Sequence, residues 1–400
     1  MNVDELVRDS LREQAAEQPA LGPGFADRVL TVRRRRRNRA LASAAAATAA
    51  VVAVAVAVPL LNIGKDDVRI ASETNRNGIL AHPDQTPPRD LIAAGPLALA
   101  AYYTWETDAR GAAVRAYRLL DPKTGTYVRT PQWSVVDVAP GLRTAAVLER
   151  DLPAKRIGLL NLRTGEVERW IPVDRGVAGV EFSPDGGRLL ATTYSKNPEL
   201  RVKSRSDTDG DGDGDWVTPP GRPTGRTGFY VLEVASGKGS WSGVTDAGRG
   251  GSHADCAFNH DGKLVYCGTT SRPLRQYYDF AGDEVATPAN EVQAERYRGV
   301  GLSPDGKLFG GLSGGTKFKW YTELLDAYTG KKVTTVRGRE LLAWVDNERL
   351  IALDLTPGSD GSVGRLVLVT IGSDKVVPLS GISKGFDGAA GYWTPVFAER

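Results

Sequence analysis

A dense group of oxygen ligands lies between residues 207 and 215, where aspartates alternate with threonine and glycine. Carboxylates at loop positions 1, 3 and 5, followed by glycine at position 6, are the arrangement of calcium-binding loops. Thr218 stands where such a loop carries its bidentate glutamate, and the flanking segments are not helical in pattern. Two interpretations stay open, a solvated acidic insertion and a weak Ca²⁺ site, and no other cofactor is expected. The candidate ligands are Asp207, Asp209, Asp211, Asp213 and Asp215.

The two cysteines flank a turn-forming stretch, Asn259–Lys263. If Asp261 and Gly262 form a two-residue hairpin turn, Cys256 and Cys267 lie directly opposite each other, within disulfide range. A disulfide would persist outside the cytoplasm, where conditions are oxidising. A longer turn would place the two diagonally, and two small buried hydrophobic residues are the alternative.

Catalytic groups are scarce. The stretch Gly311–Gly315 matches Gly-x-Ser-x-Gly, but a nucleophile elbow needs a strand–turn–helix context and a later histidine. β-type repeats flank the stretch, and the last histidine of the chain is His260. We therefore expect no catalytic serine here, and general acid–base chemistry by histidine has few candidates.

An uncharged segment of 22 residues, Ala40–Leu61, is long enough to cross a bilayer as a helix. Net positive charge precedes the segment, and Lys65, Asp66 and Asp67 follow it, which predicts a single span with a cytoplasmic N-terminus. A cleaved signal peptide and a buried Ala-rich helix are the alternatives. The topogenic arginines are Arg33, Arg34, Arg35, Arg36, Arg37 and Arg39.

The positive net charge of the chain is local. Residues 1–39 hold nine Arg and six acidic residues, whereas residues 65–400 hold 42 basic and 42 acidic residues. A nucleic-acid-binding domain would carry a basic face, and this balance indicates none. We therefore expect no nucleic-acid partner.

The predicted cytoplasmic segment, residues 1–39, begins with Val3, Leu6, Val7 and Leu11 at helical spacing. A segment of this length cannot bury a core of its own. It is either a topogenic flank or a docking helix for a cytoplasmic protein. The layout resembles actinobacterial membrane proteins in which a short cytoplasmic arm holds a sigma factor, although the zinc-binding His-x3-Cys-x2-Cys motif of many anti-sigma domains is absent.

Beyond a polar linker, residues 62–90, the chain repeats itself. One half-repeat ends in a tight turn, as in Ser183–Gly186 and Ser303–Gly306, where proline presets the first φ and glycine closes the turn. The other half-repeat is an apolar strand with a turn that ends in glycine. Those glycines are separated by 40, 72, 45, 48 and 42 residues, and the long interval contains an insertion at 195–228. They are Gly125, Gly165, Gly237, Gly282, Gly330 and Gly372.

These turns resemble the WD40-like, TolB-type propeller repeats, whose hallmark is Ser-Pro-Asp-Gly-Lys, as at Ser303–Lys307. The resemblance implies an all-β fold, a six-bladed β-propeller over 91–400, with seven blades as the alternative. We expect the tail at 391–397 to close the ring against Leu91–Gly95. The tryptophans expected to pack between strands of the blades are Trp133, Trp170, Trp241, Trp320 and Trp344.

The architecture favours a non-enzymatic, membrane-anchored extracytoplasmic module that binds a ligand or protein, in one version a sensor relaying to a sigma factor. An enzyme, such as a lyase or glycosidase, would instead show clustered, buried carboxylates at the channel mouth. A structural envelope scaffold would show no ligand-sized cavity.

Overall fold

The structure is a computed structural model, and it describes residues 78–400 with internal gaps. The predicted cytoplasmic segment 1–39, the span 40–61 and the Asp207–Asp215 cluster lie outside the described residues. No helix within the described ranges is long and apolar enough to cross a membrane. The gaps are residues 109–111, 204–215, 218–224, 245–250, 271, 298, 317–318, 356–362 and 385–391.

Antiparallel strands make up almost all regular structure of the described residues, together with one short 3-10 helix at Ala294–Arg296. The first strands are β1 (Ile79–Leu80), β2 (Ala93–Ala94), β3 (Leu97–Thr107), β4 (Ala113–Asp121) and β5 (Thr126–Thr130). They are followed by β6 (Trp133–Val138), β7 (Thr144–Glu149), β8 (Ala154–Asn161), β9 (Glu166–Phe182), β10 (Arg188–Tyr194), β11 (Val202–Lys203), β12 (Trp216–Val217), β13 (Arg226–Glu233) and β14 (Gly239–Gly243). The next are β15 (Gly251–Phe258), β16 (Val265–Thr269), β17 (Arg275–Tyr278), β18 (Glu284–Val285), β19 (Leu308–Thr316), β20 (Lys319–Asp326) and β21 (Lys332–Arg337). The last are β22 (Glu340–Trp344), β23 (Arg349–Leu355), β24 (Val363–Thr370), β25 (Val376–Pro378), β26 (Ser383–Lys384) and β27 (Thr394–Glu399).

The strands form consecutive antiparallel meanders, the arrangement of a β-propeller, as the repeats predicted. The strand β9 belongs to two meanders. Its first half pairs with β8, where Ile157 faces Ile171, and its second half pairs with β10, where Leu189 faces Phe182. One continuous strand therefore ends one meander and begins the next.

The C-terminal strand closes the ring by pairing with β3, where Phe397 lies opposite Leu99. The sequence predicted Leu91–Gly95 as the partner of this closing strand, and that prediction is wrong. The strand within that range, β2, pairs with β1 on one edge and with β3 on the other, so it has no free edge for a further strand. β27 instead pairs along the edge of β3 opposite the one that β2 and β4 use.

The insertion occupies the interval between β10 and β13. It carries the small hairpin β11–β12, in which Lys203 pairs with Trp216. Its first limb reaches across to β4, because the Ala113 N–H donates to the Arg201 carbonyl at 3.1 Å. The Arg115 guanidinium also donates to the Glu199 carboxylate at 2.7 Å, so the insertion ties the first sheet to the sheet of β10.

The hairpin β15–β16 places Cys256 directly opposite Cys267, the register that the turn predicted. The two residues form a disulfide and are 2% and 0% exposed. They pack in one apolar cluster with Phe229 and Phe258.

Four of the five tryptophans pack against apolar clusters of the sheets, as the sequence indicated. Trp133 is buried, and its ring centroid lies 6.1 Å from that of Trp170. Trp241 packs against the core beside β13, and Trp344 packs against the apolar cluster of β22–β24. Trp320 is half-buried, with the Arg339 guanidinium over its ring.

Candidate functional site

Three carboxylates converge from the first strands of successive meanders. Asp137 lies on β6, Glu181 on the second half of β9, and Asp255 on β15. Asp137 and Asp255 both lie close enough to Glu181 for their charges to raise its pKa. A Cβ placed on Gly179 would lie only 2.2 Å from the Asp255 carboxyl carbon, so this glycine makes room for that side chain.

Two of these carboxylates accept backbone hydrogen bonds from the first strand of the next meander. The Phe182 N–H donates to Asp137 Oδ2 at 2.7 Å, and the Phe258 N–H donates to the Glu181 carboxylate. Phe182 and Phe258 are the last residues of first strands, whose inner edges have no further strand beside them. The carboxylates thus accept hydrogen bonds from backbone N–H groups that would otherwise pair with an adjacent strand.

Asp255 has a side-chain partner instead. Tyr194 Oη donates to Asp255 Oδ1 at 2.8 Å. Asp255 is accessible to solvent, yet the surrounding protein restricts its hydration. The first strands of a β-propeller line its central channel, so Asp255 on β15 lies on the channel wall.

Burial raises the pKa of Asp137 to about 6, against the weaker lowering effect of the Phe182 hydrogen bond. Burial also raises the pKa of Asp255 to about 6, partly offset by the hydrogen bond from Tyr194. The pKa of Glu181 stands well above its ordinary value, first because of burial and then because Asp137 repels a second negative charge. Carboxyl groups with raised pKa values cluster at functional sites, so these three residues are candidates for one.

A cavity of about 350 Å³ opens beside Glu181. Its wall includes Tyr266, Arg275, Glu291, Leu342 and the backbone of Gly299–Leu302. A cavity of this size is at the lower end of small-ligand sites.

The cavity wall is rigid on the side of β17. Glu291 is 3% exposed, and its carboxylate accepts from Tyr277 Oη at 2.7 Å and from Asn259 Nδ2 at 3.2 Å. The Arg275 guanidinium lies 4.6 Å from the Tyr266 ring centroid and donates to the Tyr297 carbonyl at 3.3 Å. The Glu291 carboxylate is thus held by hydrogen bonds, and Arg275 is held by its ring contact and its carbonyl acceptor.

The cavity coincides with an irregularity in the sheet of β19–β21, which has three strands. Within the described residues, the segment that precedes β19 makes only the isolated bridge between Leu302 and Phe309. The meanders that begin at β6, β15 and β22 have a full first strand at this place. Space that a regular strand fills elsewhere is therefore open here.

The residues predicted from sequence fall elsewhere. Cys256 and Cys267 form their disulfide in the core, and the Gly311–Gly315 stretch lies within β19 rather than in a strand-to-helix turn. The Asp207–Asp215 cluster and the arginines of 33–39 lie outside the described residues. Among the residues that are described, no group of three or more His, Cys, Asp or Glu is placed to hold a metal ion.

Sequence reasoning missed the three channel carboxylates. A signal was present for two of them, since Asp137 and Glu181 each stand three residues before the proline of a repeated turn, within an apolar strand. A charged residue at the same place in two repeats, where the others are apolar, indicates a shared structural position. Asp255 lies two residues further from its turn and lacked that signal.

Comparison with known proteins gives fold-level likeness only. The chain is similar to the crystal structure of TolB from Acinetobacter baumannii, with 16% identity over 75% of this chain and 66% of that chain and a TM-score of 0.41. It is also similar to the β-propeller domain of Cps50 (Swd1) from Myceliophteria thermophila, with 12% identity over 71% of this chain and 100% of that chain and a TM-score of 0.34. An acylaminoacyl peptidase from Pyrococcus horikoshii matches at 13% identity and a TM-score of 0.30 over 73% of this chain and 40% of that chain.

No protein-family model matches the chain, and no curated protein matches it. The chain spans slightly less than two thirds of the TolB structure to which it is similar. The sheets of the described residues carry the all-β propeller architecture.

Proposed function

We propose that this chain is a membrane-anchored, extracytoplasmic binding or sensor module without enzymatic activity. The observation that supports the binding role is the cavity beside Glu181, which opens where the sheet of β19–β21 lacks a regular first strand. A purely structural scaffold would need no ligand-sized cavity at that place.

A site-specific photocrosslinker tests the binding role. Benzoylphenylalanine replaces Tyr266, which lines the cavity, and in a matched variant it replaces Tyr328, which is 59% exposed and is not part of the cavity wall. Irradiation of intact cells should add a defined mass to the protein at position 266 and not at position 328. Absence of an adduct at 266, or the same adduct at both positions, would contradict the proposal.

The membrane placement is proposed from the uncharged segment 40–61 and the arginines before it. We expect a periplasmic-type reporter fused after Gly64 to be active and a cytoplasmic reporter at the same site to be inactive. The reverse pattern would overturn the orientation. A shortened product that lacks residues 1–61 would show cleavage instead of anchoring.

Relay to the cytoplasm is the finer form of the proposal. Residues 1–39 would dock a cytoplasmic protein such as a sigma factor through the apolar face of Val3, Leu6, Val7 and Leu11. A pull-down with residues 1–39 should recover one specific protein, and a Leu6→Asp, Val7→Asp bait should not recover it. Equal recovery by both baits would argue against docking.

We further propose that the ring has six blades, with β9 serving both as the last strand of the second blade and as the first strand of the third. The fifth blade would then be the incomplete sheet β19–β21. Cryo-electron microscopy class averages viewed along the channel would distinguish six blades from seven.

An enzyme is the alternative that a specific observation favours. The clustered carboxylates Asp137, Glu181 and Asp255 are the feature expected of a propeller lyase or glycosidase, and two have pKa values of about 6. Their existing hydrogen bonds to neighbouring strands and to Tyr194 argue for a structural role. Release of reducing ends from envelope polysaccharide by the full-length protein, lost in Glu181→Gln, would establish the enzyme.

A further inference from the structure

The inner edge of β19 is open from Gly311 to Thr316. Within the described residues this part of the strand pairs with β20 alone, from Ser313 opposite Thr322 to Thr316 opposite Lys319. On the inner side the pairing ends at the bridge between Leu302 and Phe309. A strand edge presents a row of unpaired N–H and C=O groups that can template another chain.

Little protects this edge against an incoming strand. The sequence Gly-Leu-Ser-Gly-Gly contains no lysine and no proline, which are the residues that usually blunt such edges. Leu312 is 66% exposed, and a Cβ placed on Gly314 would meet nothing within 4 Å. A register shift between Gly310 and Ser313 interrupts the ladder, but the stretch from Ser313 onward is regular. The open length matches that of an ordinary short strand.

The cavity lies at one end of the same edge. Val300, which lines the cavity, approaches β19 so closely that a Cβ on Gly310 would lie 3.5 Å from Val300 Cγ1. A segment that continued along the edge of β19 toward Gly310 would thus reach the wall of the cavity that Glu181 also lines.

A cation beside Glu181 would relieve repulsion among neighbouring carboxylates. Glu181 lines the cavity, and the charges of Asp137 and Asp255 act on it. Arg275 is the cationic member of the wall, and its guanidinium already contacts the Tyr266 ring and the Tyr297 carbonyl.

We propose that β19 accepts an extended peptide segment of a partner protein as an added first strand, and that a basic side chain of this segment enters the cavity to pair with Glu181. The proposal rests on the binding role proposed above and names its ligand class. In strand addition, backbone hydrogen bonds supply affinity and a side-chain cavity supplies specificity. The sheet of β19–β21 would thereby gain the fourth strand that it lacks.

The test uses the full-length protein and a fluorescent decapeptide of alternating threonine and valine with one central lysine, capped at both ends. Fluorescence anisotropy should show saturable binding. N-methylation of every second backbone amide should weaken it at least about tenfold, because the methyl groups remove the donors of the added strand, and replacing the lysine by glutamate should weaken it similarly. Absence of binding at about 1 mM peptide, or equal binding of the N-methylated peptide, would overturn the proposal.

Two protein variants locate the site. Leu312 and Val333 are 66% and 57% exposed and lie on opposite edge strands of one sheet, so a lysine at either position should leave folding intact. Leu312→Lys should weaken binding at least about tenfold, and Val333→Lys should change it less than about twofold. Equal losses in the two variants would overturn the assignment to the inner edge.

Glu181→Gln separates charge recognition from strand addition. The variant should bind the lysine peptide more weakly and should no longer distinguish it from the glutamate peptide. An adduct at Tyr266 with a small molecule, together with no peptide binding, would leave the binding role standing and remove the peptide. No adduct and no peptide binding would remove both.

Discussion

Cys256 and Cys267 lie directly opposite each other across the β15–β16 hairpin, with Cα atoms 4.2 Å apart and their sulfurs bonded. The loop between them is short, with a sequence separation of 11. Cross-linking a loop of this length lowers the entropy of the unfolded chain and stabilises the fold by no more than about 3 kcal/mol.

The double variant Cys256→Ala, Cys267→Ala should therefore unfold at a lower urea concentration, with a free-energy loss of up to about 3 kcal/mol. The wild type measured with reductant is the matched control, and it should lose a similar amount. Thiol titration of the denatured, unreduced wild type should find no reactive thiol. Two thiols per chain would contradict the bond.

Asp137 makes folding stability depend on pH. Its pKa rises from an ordinary 3.8 to about 6 in the folded protein, so the folded state holds the proton more tightly than the unfolded chain. The contribution of the protonated Asp137 carboxyl to folding stability is complete below about pH 4, and it is lost as the pH rises through about 6. Asp137→Asn keeps an acceptor for the Phe182 N–H and should be more stable than wild type at pH 8, by up to about 3 kcal/mol. The two proteins should converge near pH 4.

Asp185→Asn is the control of opposite sign. The Ser183 hydroxyl and the Gly187 N–H donate to the Asp185 carboxylate and lower its pKa. Stabilisation by this carboxylate is present at neutral pH and is lost on acidification. Asp185→Asn should thus be less stable than wild type at pH 8. Urea unfolding at pH 4 and pH 8 measures both variants, and parallel pH dependence of wild type and Asp137→Asn would contradict the assignment.

Arg400 holds the closure of the ring. It is 5% exposed, and its guanidinium donates to the carbonyls of Gly95 and Gly78. The backbone N–H of Arg400 donates to the Pro96 carbonyl. Arg400→Met removes these side-chain donors and leaves two carbonyls in a buried place, which should cost about 2–4 kcal/mol. The neighbouring Glu399 is exposed, so Glu399→Gln should change stability little. Equal unfolding midpoints for Arg400→Met and wild type would show that β27 closes the ring without this anchor.

The Asp207–Asp215 cluster is either a weak Ca²⁺ site or a solvated acidic insertion, and Ca²⁺ binding separates the two. A weak site would give, in titration calorimetry of the full-length protein with millimolar Ca²⁺, a heat that is lost in Asp209→Asn, Asp211→Asn, because those carboxylates occupy loop positions 3 and 5. The melting temperature should rise with Ca²⁺ in the wild type only. No heat and an unchanged melting temperature would favour a solvated acidic insertion.

The sequence by itself determined the features that depend on local spacing. Turns such as Ser303–Lys307 recur because proline and glycine satisfy backbone angles within four or five residues. The register of Cys256 and Cys267 follows from one hairpin turn, since an antiparallel ladder propagates from its turn. The repeating meanders of a propeller follow from the spacing of such turns.

Only the tertiary structure decided which distant groups meet. Asp137, Glu181 and Asp255 belong to three different meanders, and no local pattern states that their first strands converge. The partner of β27 also depended on strand pairing, since β2 is already paired on both edges by β1 and β3, whereas β3 has an edge that β27 can fill. Contacts between residues far apart in the chain are set by the whole ring, and short-range propensity does not encode them.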